Sequence, residues 1–198
     1  MVGNRTLLII LCFLLITAAC LLITAVCWIR NTAKEYAITI DVSEQRLFLF
    51  ENTPFNNAEL IRTYTVSTSK YGVGNEEYSK KTPLGIHSIL ETIGEAARIG
   101  AIFESRENTG RIATIYTDTT DIEEELITTR ILLLKGMVPG LNEGGGVDSY
   151  ARRIYIHGTP EEGLIGNPAS NGCVRMRNED IMELFDIVPR GALVRIHE

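Results

Sequence analysis

The chain has 198 residues, with 25 acidic and 19 basic side chains and a formal net charge of −6 at neutral pH. Three basic residues and no acidic ones lie up to Lys34, so the part from Glu35 onward holds 16 basic and 25 acidic residues, a formal charge of −9. This balance argues against general nucleic-acid binding, because the phosphate backbone needs a basic surface. The length allows one membrane segment and a single domain with a proper core.

Residues 7–29 form an uncharged apolar run that predicts a membrane-spanning helix. A helix of 23 residues reaches roughly 35 Å, which is enough for a bilayer core of about 30 Å and exceeds the apolar region of a signal peptide. Trp28 stands at its end, where interfacial aromatic residues are common. We expect residues 1–34 to be an uncleaved anchor and short juncture. A cleaved signal peptide and a lipoprotein signal ending at Cys20 remain alternatives.

The sequence from Glu35 to Glu198 predicts one mainly β domain. Apolar alternation and short apolar runs between turn residues predict strands near residues 38–42, 47–50, 60–67, 86–90, 127–134, 152–157 and 193–196. Short strands at this spacing indicate a β-sandwich or a β-barrel. The stretch from Glu91 to Asp121 is harder to interpret and shows a helical pattern around Glu95–Phe103.

One helix is indicated near the C-terminus. Asn178 is a favourable N-cap residue, and Glu179 and Asp180 suit the positive end of a helix. Its apolar stripe consists of Ile181, Leu184, Phe185 and Val188. Pro189 ends the helical pattern. The predicted architecture is therefore mainly β with one C-terminal helix, preceded by one N-terminal transmembrane helix.

Cys173 is the cysteine to which the sequence draws attention. The other three cysteines lie in the apolar run, so Cys173 has no disulfide partner within the domain. A lone thiol with a histidine nearby is a candidate nucleophile, and the loop of about 15 residues after His157 can bring the two together. The thiolate is the reactive form, and an imidazole takes its proton. Backbone amides around Gly172 and Cys173 are candidate oxyanion donors.

Other interpretations of these residues stay open. Cys173 can be a buried structural cysteine. A zinc site would need further ligands, and His87 and His197 lack ligand spacing, so we expect no metal and assign both to structural or surface roles. Arg175 either binds a substrate carboxylate or pairs with an acidic group. Ser170 is either a hydrogen-bonding partner in the site or a turn residue.

Two stretches carry a resemblance to a known family: His157-Gly158-Thr159 and, after a loop, Ser170-Asn171-Gly172-Cys173-Val174-Arg175. Earlier pieces agree with it, namely Ile40-Asp41-Val42, Ser67-Thr68 and Thr82-Pro83-Leu84-Gly85. Together they resemble the signature of L,D-transpeptidase catalytic domains, the YkuD family. The similarity extends over about residues 36–197, with residues 91–120 as an enlarged insert. Asn171 departs from it, because many members have histidine there.

The resemblance implies a mainly β catalytic domain with peptidoglycan stem peptides as substrate. It implies that the domain faces the cell wall from the cell membrane, an orientation that the charges flanking residues 7–29 do not decide. It also implies inhibition by carbapenems and no cofactor. Cys173 becomes the nucleophile and His157 the general acid and base. The substrate and oxyanion site comprises Gly158, Ser170, Gly172 and Arg175.

The implied reaction is acyl transfer in two steps. Cys173 attacks the carbonyl of the third residue of a tetrapeptide stem, D-alanine leaves, and an amine of a second stem takes the acyl group, forming a 3-3 cross-link. Water as acceptor makes the enzyme an L,D-carboxypeptidase, and a protein amine makes it a wall-protein attachment enzyme. An inactive wall-binding module is the remaining hypothesis, and the presence of both His157 and Cys173 argues against it.

Overall fold

Residues 35–52 and 58–198, together with Leu15 and Thr17, are the part of the chain that the computed structural model describes. In chain order its strands are β1 (Glu35–Asp41), β2 (Arg46–Asn52), β3 (Ala58–Thr65), β4 (Gly85–Ile93), β5 (Ala101–Glu104), β6 (Glu107–Ile112), β7 (Ile127–Gly136), β8 (Tyr155–Gly158), β9 (Val174–Met176) and β10 (Leu193–His197). Between residues 58 and 198 there is one α-helix, α1 (Asn178–Ile187), and 3-10 helices occupy Gly145–Val147 and Glu162–Leu164.

The predicted membrane segment at residues 7–29 lies outside the described part, apart from Leu15 and Thr17. Across the residues that the structure describes, no helix is long and apolar enough to cross a membrane. The anchor, and the division of the chain into residues 1–34 and 35–198, therefore stay predictions.

The strands listed above belong to one hydrogen-bonded sheet. Its main path runs β3-β2-β1-β10-β4-β7-β5-β6, and β8 and β9 form a branch that leaves this path at β7. Most neighbouring strands are antiparallel, whereas β1 pairs with β10 and β8 pairs with β9 in parallel. The prediction of a mainly β domain with one C-terminal helix is confirmed. The predicted sandwich or barrel takes the form of this single branched sheet, and an isolated bridge between Ser67, two residues after β3, and Arg175 of β9 links the branch back to the first edge.

The predicted insert at residues 91–120 contains the hairpin formed by β5 and β6. The helix expected around Glu95–Phe103 is wrong, because residues 95–100 form turns and irregular backbone and β5 begins at Ala101. Gly94 and Gly100 have φ angles of 103° and 76°, which a right-handed helix does not contain. Phe103 is buried where β5 pairs with β7, so its apolar character serves the sheet.

Strand β7 is buried on both of its faces. Leu132 and Leu134 belong to the larger apolar core, and Ile131 and Leu133 to a smaller one. Successive side chains of a strand point to opposite faces, so a strand covered on both sides needs an unbroken apolar run. The run from Ile131 to Leu134 meets that need, and β7 thereby separates the two cores.

Helix α1 covers the face of the sheet that carries the larger core, where Ile181 and Leu184 are fully buried. The smaller core lies on the opposite face and includes Tyr155 of β8. Cys173 packs at the border of this smaller core. The thiol and α1 are therefore on opposite faces of the sheet.

The start of α1 differs from the prediction. Arg177 is the N-cap residue, and Asn178 is the first helical residue with its side chain buried. Asn178 Oδ1 accepts a hydrogen bond from Thr128 Oγ1 at 2.7 Å, and its Nδ2 donates to the Thr159 carbonyl at 2.8 Å. The Glu162 carboxylate accepts the Asn178 backbone N–H at 2.8 Å and satisfies a free donor of the first turn. Asn178 thus joins the helix to β7 instead of capping it.

His87 on β4 is a fully buried histidine with a structural role. Its Nδ1 lies 3.2 Å from the Gly85 carbonyl oxygen, which can only accept, so Nδ1 carries the proton. Nε2 then accepts from Ser149 Oγ at 3.0 Å, with Asn142 Nδ2 at 3.4 Å. Burial lowers the pKa of His87 from 6.5 to about 4, so the imidazole is neutral at pH 7.

We expect this histidine to make the fold less stable in acid. Because its folded-state pKa of about 4 lies below the unfolded value of 6.5, the unfolded chain binds the proton first as the pH falls. The stabilisation, on the order of 3 kcal/mol, is complete above the unfolded pKa and is lost as the pH approaches the folded one. Urea unfolding between about pH 7.5 and pH 4.5 measures it. His87→Gln should lose stability less steeply with acid, and an equally steep loss would contradict this role.

Candidate active site

The parallel pairing of β8 with β9 positions the candidate catalytic residues. His157 pairs with Arg175, and Ile156 pairs with Val174. Ile156 and Val174 point into the larger core, so His157 and Arg175 point to the other face. Cys173 lies two residues before Arg175 and packs on that same face. The thiol and the imidazole are therefore diagonal neighbours on one face of two adjacent strands.

The sulfur of Cys173 is held by the backbone at the start of β8. The Tyr155 N–H donates to Sγ at 3.4 Å, and the thiol donates to the Arg153 carbonyl at 3.5 Å. Cys173 is half-buried and is the free cysteine of the described residues. Backbone contacts thus fix the sulfur without using a neighbouring side chain.

His157 is fully buried, and its tautomer follows from one contact. Nδ1 lies 2.7 Å from the Gly158 carbonyl oxygen, which can only accept, so Nδ1 carries the proton. Nε2 then has a free lone pair, and it makes no hydrogen bond to any described residue. An imidazole fixed in this way presents Nε2 as a proton acceptor.

At rest the pair is neutral. Burial lowers the pKa of His157 to about 4, and burial also raises the pKa of the Cys173 thiol to about 12. Both shifts disfavour a thiolate–imidazolium ion pair before substrate arrives. The arrangement therefore suits proton transfer during nucleophilic attack, with the thiol proton moving as the new bond forms.

The loop before Cys173 is braced by Ser170. Ser170 is buried, and its Oγ donates to the Cys173 carbonyl at 2.6 Å and accepts the Gly172 N–H at 3.2 Å. Ser170 is therefore a hydrogen-bonding partner within the site rather than only a turn residue. The Gly172 amide is engaged, so it is not free as an oxyanion donor, contrary to our expectation.

Gly172 and Gly158 are needed for backbone reasons. Gly172 has a φ of 123°, which L-residues with a side chain rarely adopt. At Gly158 a Cβ atom would lie 2.7 Å from Asn178 Oδ1 and 2.7 Å from the Thr128 carbonyl oxygen. Gly158 thus allows β7, β8 and α1 to approach closely, and its carbonyl oxygen orients His157.

Arg175 is an ion-pair residue buried under the site. Its side chain is 5% exposed, and Nη1 donates to Glu161 at 2.7 Å. Glu161 is itself 1% exposed and accepts the Ile122 N–H at 2.9 Å. Nη2 lies 3.4 Å from Glu125. Of the two roles left open for Arg175, the structure therefore shows pairing with acidic groups, and these groups are buried or half-buried.

Glu125 is a residue of the site that the sequence did not indicate. Its carboxylate accepts the Asn171 N–H at 3.1 Å and Asn171 Nδ2 at 2.8 Å. Its negative charge raises the pKa of His157, whereas burial lowers it. The same charge raises the pKa of the Cys173 thiol, in the same direction as burial. Its position within the acidic run from 123 to 125 resembles an ordinary solvated stretch, so no local signal marks it. Its partner is Asn171, the position at which the sequence departs from the signature that it resembles.

The Thr82 motif also reaches the site. Thr82 Oγ1 donates to the Gly172 carbonyl at 3.1 Å and accepts the Ser69 N–H at 3.0 Å. Arg152 holds the same loop, because its guanidinium donates to the Lys81 carbonyl at 2.6 Å and to the Asn75 carbonyl at 2.9 Å. The loop from residue 70 to residue 82 thus supports the backbone beside Cys173.

Metal ligation was one of the open interpretations of Cys173. Across the described residues, no group of three or more histidine, cysteine, aspartate or glutamate side chains is arranged to hold a metal ion. The side chain of His87 is engaged by Ser149, at 3.0 Å, rather than directed at Cys173.

Relatives in other organisms share much of this sequence. The "Probable L,D-transpeptidase ErfK/SrfK" of Salmonella typhimurium is 31% identical over 169 residues, which cover 84% of this chain and 45% of that protein. The "Probable L,D-transpeptidase YbiS" of Escherichia coli K12 is 53% identical over 47 residues, covering 23% of this chain and 15% of that protein. The matched part is thus less than half of each relative's length.

A solved structure agrees in fold. Bd1075 of Bdellovibrio bacteriovorus is 18% identical with a TM-score of 0.51, and the match covers 83% of this chain and 47% of that one. At this identity the likeness concerns the fold alone. The family model of the L,D-transpeptidase catalytic domain, YkuD, matches residues 35–196. The chain therefore belongs to the YkuD family of L,D-transpeptidase catalytic domains.

Proposed function

We propose that this chain is a peptidoglycan L,D-transpeptidase, with Cys173 as nucleophile and His157 as general acid and base. One observation carries the proposal: a free thiol and an imidazole with an unprotonated Nε2 share one face of two paired strands. Membership of the YkuD family supports the assignment of the reaction class. A binding module has no need of this pair.

The first step acylates the enzyme. Cys173 Sγ attacks the carbonyl carbon of the third residue of a tetrapeptide stem, and its proton passes to His157 Nε2. The bond to the terminal D-alanine breaks, and the departing amine takes that proton, leaving a thioester. In the free protein the thiol proton points to the Arg153 carbonyl, so the thiol must rotate, as catalytic hydrogen bonds often tighten only with substrate.

The second step releases the product. An amine of a second stem attacks the thioester, its proton passes to His157 Nε2 and then to Cys173 Sγ, and a 3-3 cross-link forms. We assign the Cys173 N–H to the developing oxyanion, because the Gly172 N–H is already bonded to Ser170 Oγ. Because His157 Nε2 accepts and then donates the proton in both steps, the reaction needs no metal or organic cofactor.

We also propose that residues 7–29 anchor the chain in the cell membrane, with the domain facing the cell wall. The support is the length and lack of charge of that run, the position of Trp28, and the location that stem peptides require. The membrane and the peptidoglycan stem are then the partners of the chain.

Cys173→Ala should abolish turnover, because no other group of the site can form the thioester. The test incubates disaccharide-tetrapeptide with the full chain, purified in detergent, and with the variant, and detects muropeptides by mass spectrometry. Circular dichroism should show an unchanged fold in the variant. Release of D-alanine by the variant would contradict the nucleophile assignment.

The products of the same incubation separate the reaction types. A cross-linked dimer that needs Cys173 supports transpeptidation. Tripeptide alone indicates carboxypeptidase activity, and a wall-protein attachment enzyme would require a protein amine as acceptor. Unchanged substrate with the intact chain would contradict the proposed function and favour an inactive wall-binding module.

We expect kcat/KM to stay high in mild acid. Burial lowers the pKa of His157 to about 4, so the base loses its lone pair to a proton only as the pH falls toward that value. Burial raises the pKa of Cys173 to about 12, so ionisation of the thiol should produce no inflection below about pH 9. D-alanine release measured between about pH 4 and pH 9 tests this, and an acid limb centred near the ordinary histidine pKa of about 6.5 would contradict it.

Carbapenems should acylate Cys173, because family membership and a free thiol predict opening of the β-lactam by the sulfur. Intact mass should increase by one carbapenem in the full chain. Cys173→Ala is a matched control, since it keeps the other three cysteines, Cys12, Cys20 and Cys27. An adduct that persists in this variant, or no adduct in the intact chain, would contradict the prediction.

A further inference from the structure

A small cleft lies directly beside the thiol. It has a volume of about 200 Å³ and is lined by Arg106, Leu133, Tyr150, Ala151, Arg153 and Tyr155. The sulfur of Cys173 contacts the backbone of two of these residues, Arg153 and Tyr155, at 3.5 and 3.4 Å. Whatever occupies the cleft is therefore next to the atom that attacks the substrate.

Two arginines give the cleft its charge. Burial raises the pKa of the Tyr155 hydroxyl, whereas the positive charges of Arg106 and Arg153 lower it. Both guanidinium groups are therefore near the Tyr155 side chain. Arg153 has no salt bridge within the described part of the chain, and Arg106 has a 3.7 Å contact with Glu91 and a hydrogen bond with the Tyr150 side chain, which carries no balancing charge. Two incompletely paired cations thus meet beside the nucleophile, in a domain whose formal charge is −9.

The backbone at both arginines is unusual. Arg106 has a φ of 72° and Arg153 a φ of 56°, in the left-handed region that costs free energy for a residue with a side chain. Arg106 lies in the turn of the β5–β6 hairpin, and Arg153 lies just before β8. At Arg106 the positive φ belongs to the two-residue turn of the hairpin, in which Ser105 also has a φ of 50°. Here the conformation brings two distant parts of the sequence to one cleft.

The size and lining of the cleft indicate which ligand it takes. At about 200 Å³ it is smaller than the pockets that enclose whole small molecules, so it suits one end of a larger ligand. Leu133 and Tyr155 form an apolar floor and are 1% and 5% exposed. Guanidinium groups bind carboxylates through paired, charge-assisted hydrogen bonds. An apolar floor with two guanidinium groups fits a carboxylate on a short aliphatic group.

We propose that Arg106 and Arg153 form the subsite that binds a carboxylate of the donor stem and places the scissile carbonyl at Cys173. The inference rests on the proposed function, because it takes a stem peptide as the donor. Two carboxylates flank the scissile bond of a donor whose third residue is a diamino diacid: the C-terminal carboxylate of the leaving D-alanine and the side-chain carboxylate of that third residue. The β5–β6 hairpin of the enlarged insert then selects the donor by supplying Arg106.

The test measures binding separately from turnover. The full chain carrying Cys173→Ala, purified in detergent, is titrated calorimetrically with three disaccharide-tetrapeptides. One has both carboxylates free, one ends in D-alaninamide, and one has the third-residue side-chain carboxylate amidated. We expect one amide to bind at least about tenfold more weakly than the acid, since a charge-assisted pair is lost. Which amide it is identifies the carboxylate.

Adding Arg106→Gln or Arg153→Gln should remove that difference in affinity. The substitution should weaken binding of the acid stem and leave binding of the amide stem unchanged. Arg106→Lys and Arg153→Lys should keep part of it, because the charge remains. Arg190→Gln is the matched control: it removes the same charge in the turn after α1, outside the cleft, and should keep the full difference. Arg106, in an exposed hairpin turn, provides a test that is independent of the backbone beside Cys173.

The subsite is refuted if the acid and both amides bind equally, if the difference survives in both glutamine variants, or if no stem binds. The proposed function fails separately. If the stem binds with the expected discrimination but the chain with intact Cys173 releases no D-alanine, the subsite stands and the catalytic assignment is wrong.

Discussion

The pairing of β9 with its two neighbours is the constraint on which the site depends. β9 has three residues, and it is held by β8 on one side and by Ser67 on the other, where the Arg175 N–H and C=O bond to Ser67 at 2.8 and 2.9 Å. Because side chains alternate along a strand, a slip of one residue would turn Cys173 to the opposite face from His157. The relative placement of thiol and imidazole is therefore set by backbone register.

A group of buried and half-buried charged side chains, Arg175, Glu161 and Glu125, supports this register. Removing an ion pair from water is costly, and it is tolerated when further hydrogen bonds satisfy the charged groups. Glu161 meets this condition with Arg175 and the Ile122 N–H, and Glu125 meets it with Asn171 and Arg175. The carboxylates connect the segment before β7 to the loop before Cys173. Loss of one partner would leave an uncompensated charge under the nucleophile, so Arg175 acts as a positioning residue.

The sequence predicted those parts of the site in which the contacting residues belong to one strand or one short motif. Alternation in β8 and the closely spaced motif around Cys173 predicted both the strand and the residues that share its face. It was uninformative where a contact joins distant segments: Glu125 is one of three consecutive glutamates, and nothing local shows that Asn171, 46 residues later, is its partner. Asn178 has the composition of an N-cap, yet tertiary hydrogen bonds with Thr128 draw it into the interior. Left-handed glycines, invisible to apolar periodicity, replaced the expected helix with the β5–β6 hairpin.

The place of β10 in the sheet has a consequence for how the chain acquires its structure. Leu193–His197 lies between β1 and β4, so it is the strand that joins β1, β2 and β3 to the rest of the sheet. Until these residues emerge during synthesis, β1 and β4 each present an unpaired edge, the feature through which strands of different molecules associate. Contacts between segments so far apart form slowly. The nascent chain is therefore exposed to association through these two edges until residues 193–197 dock between them.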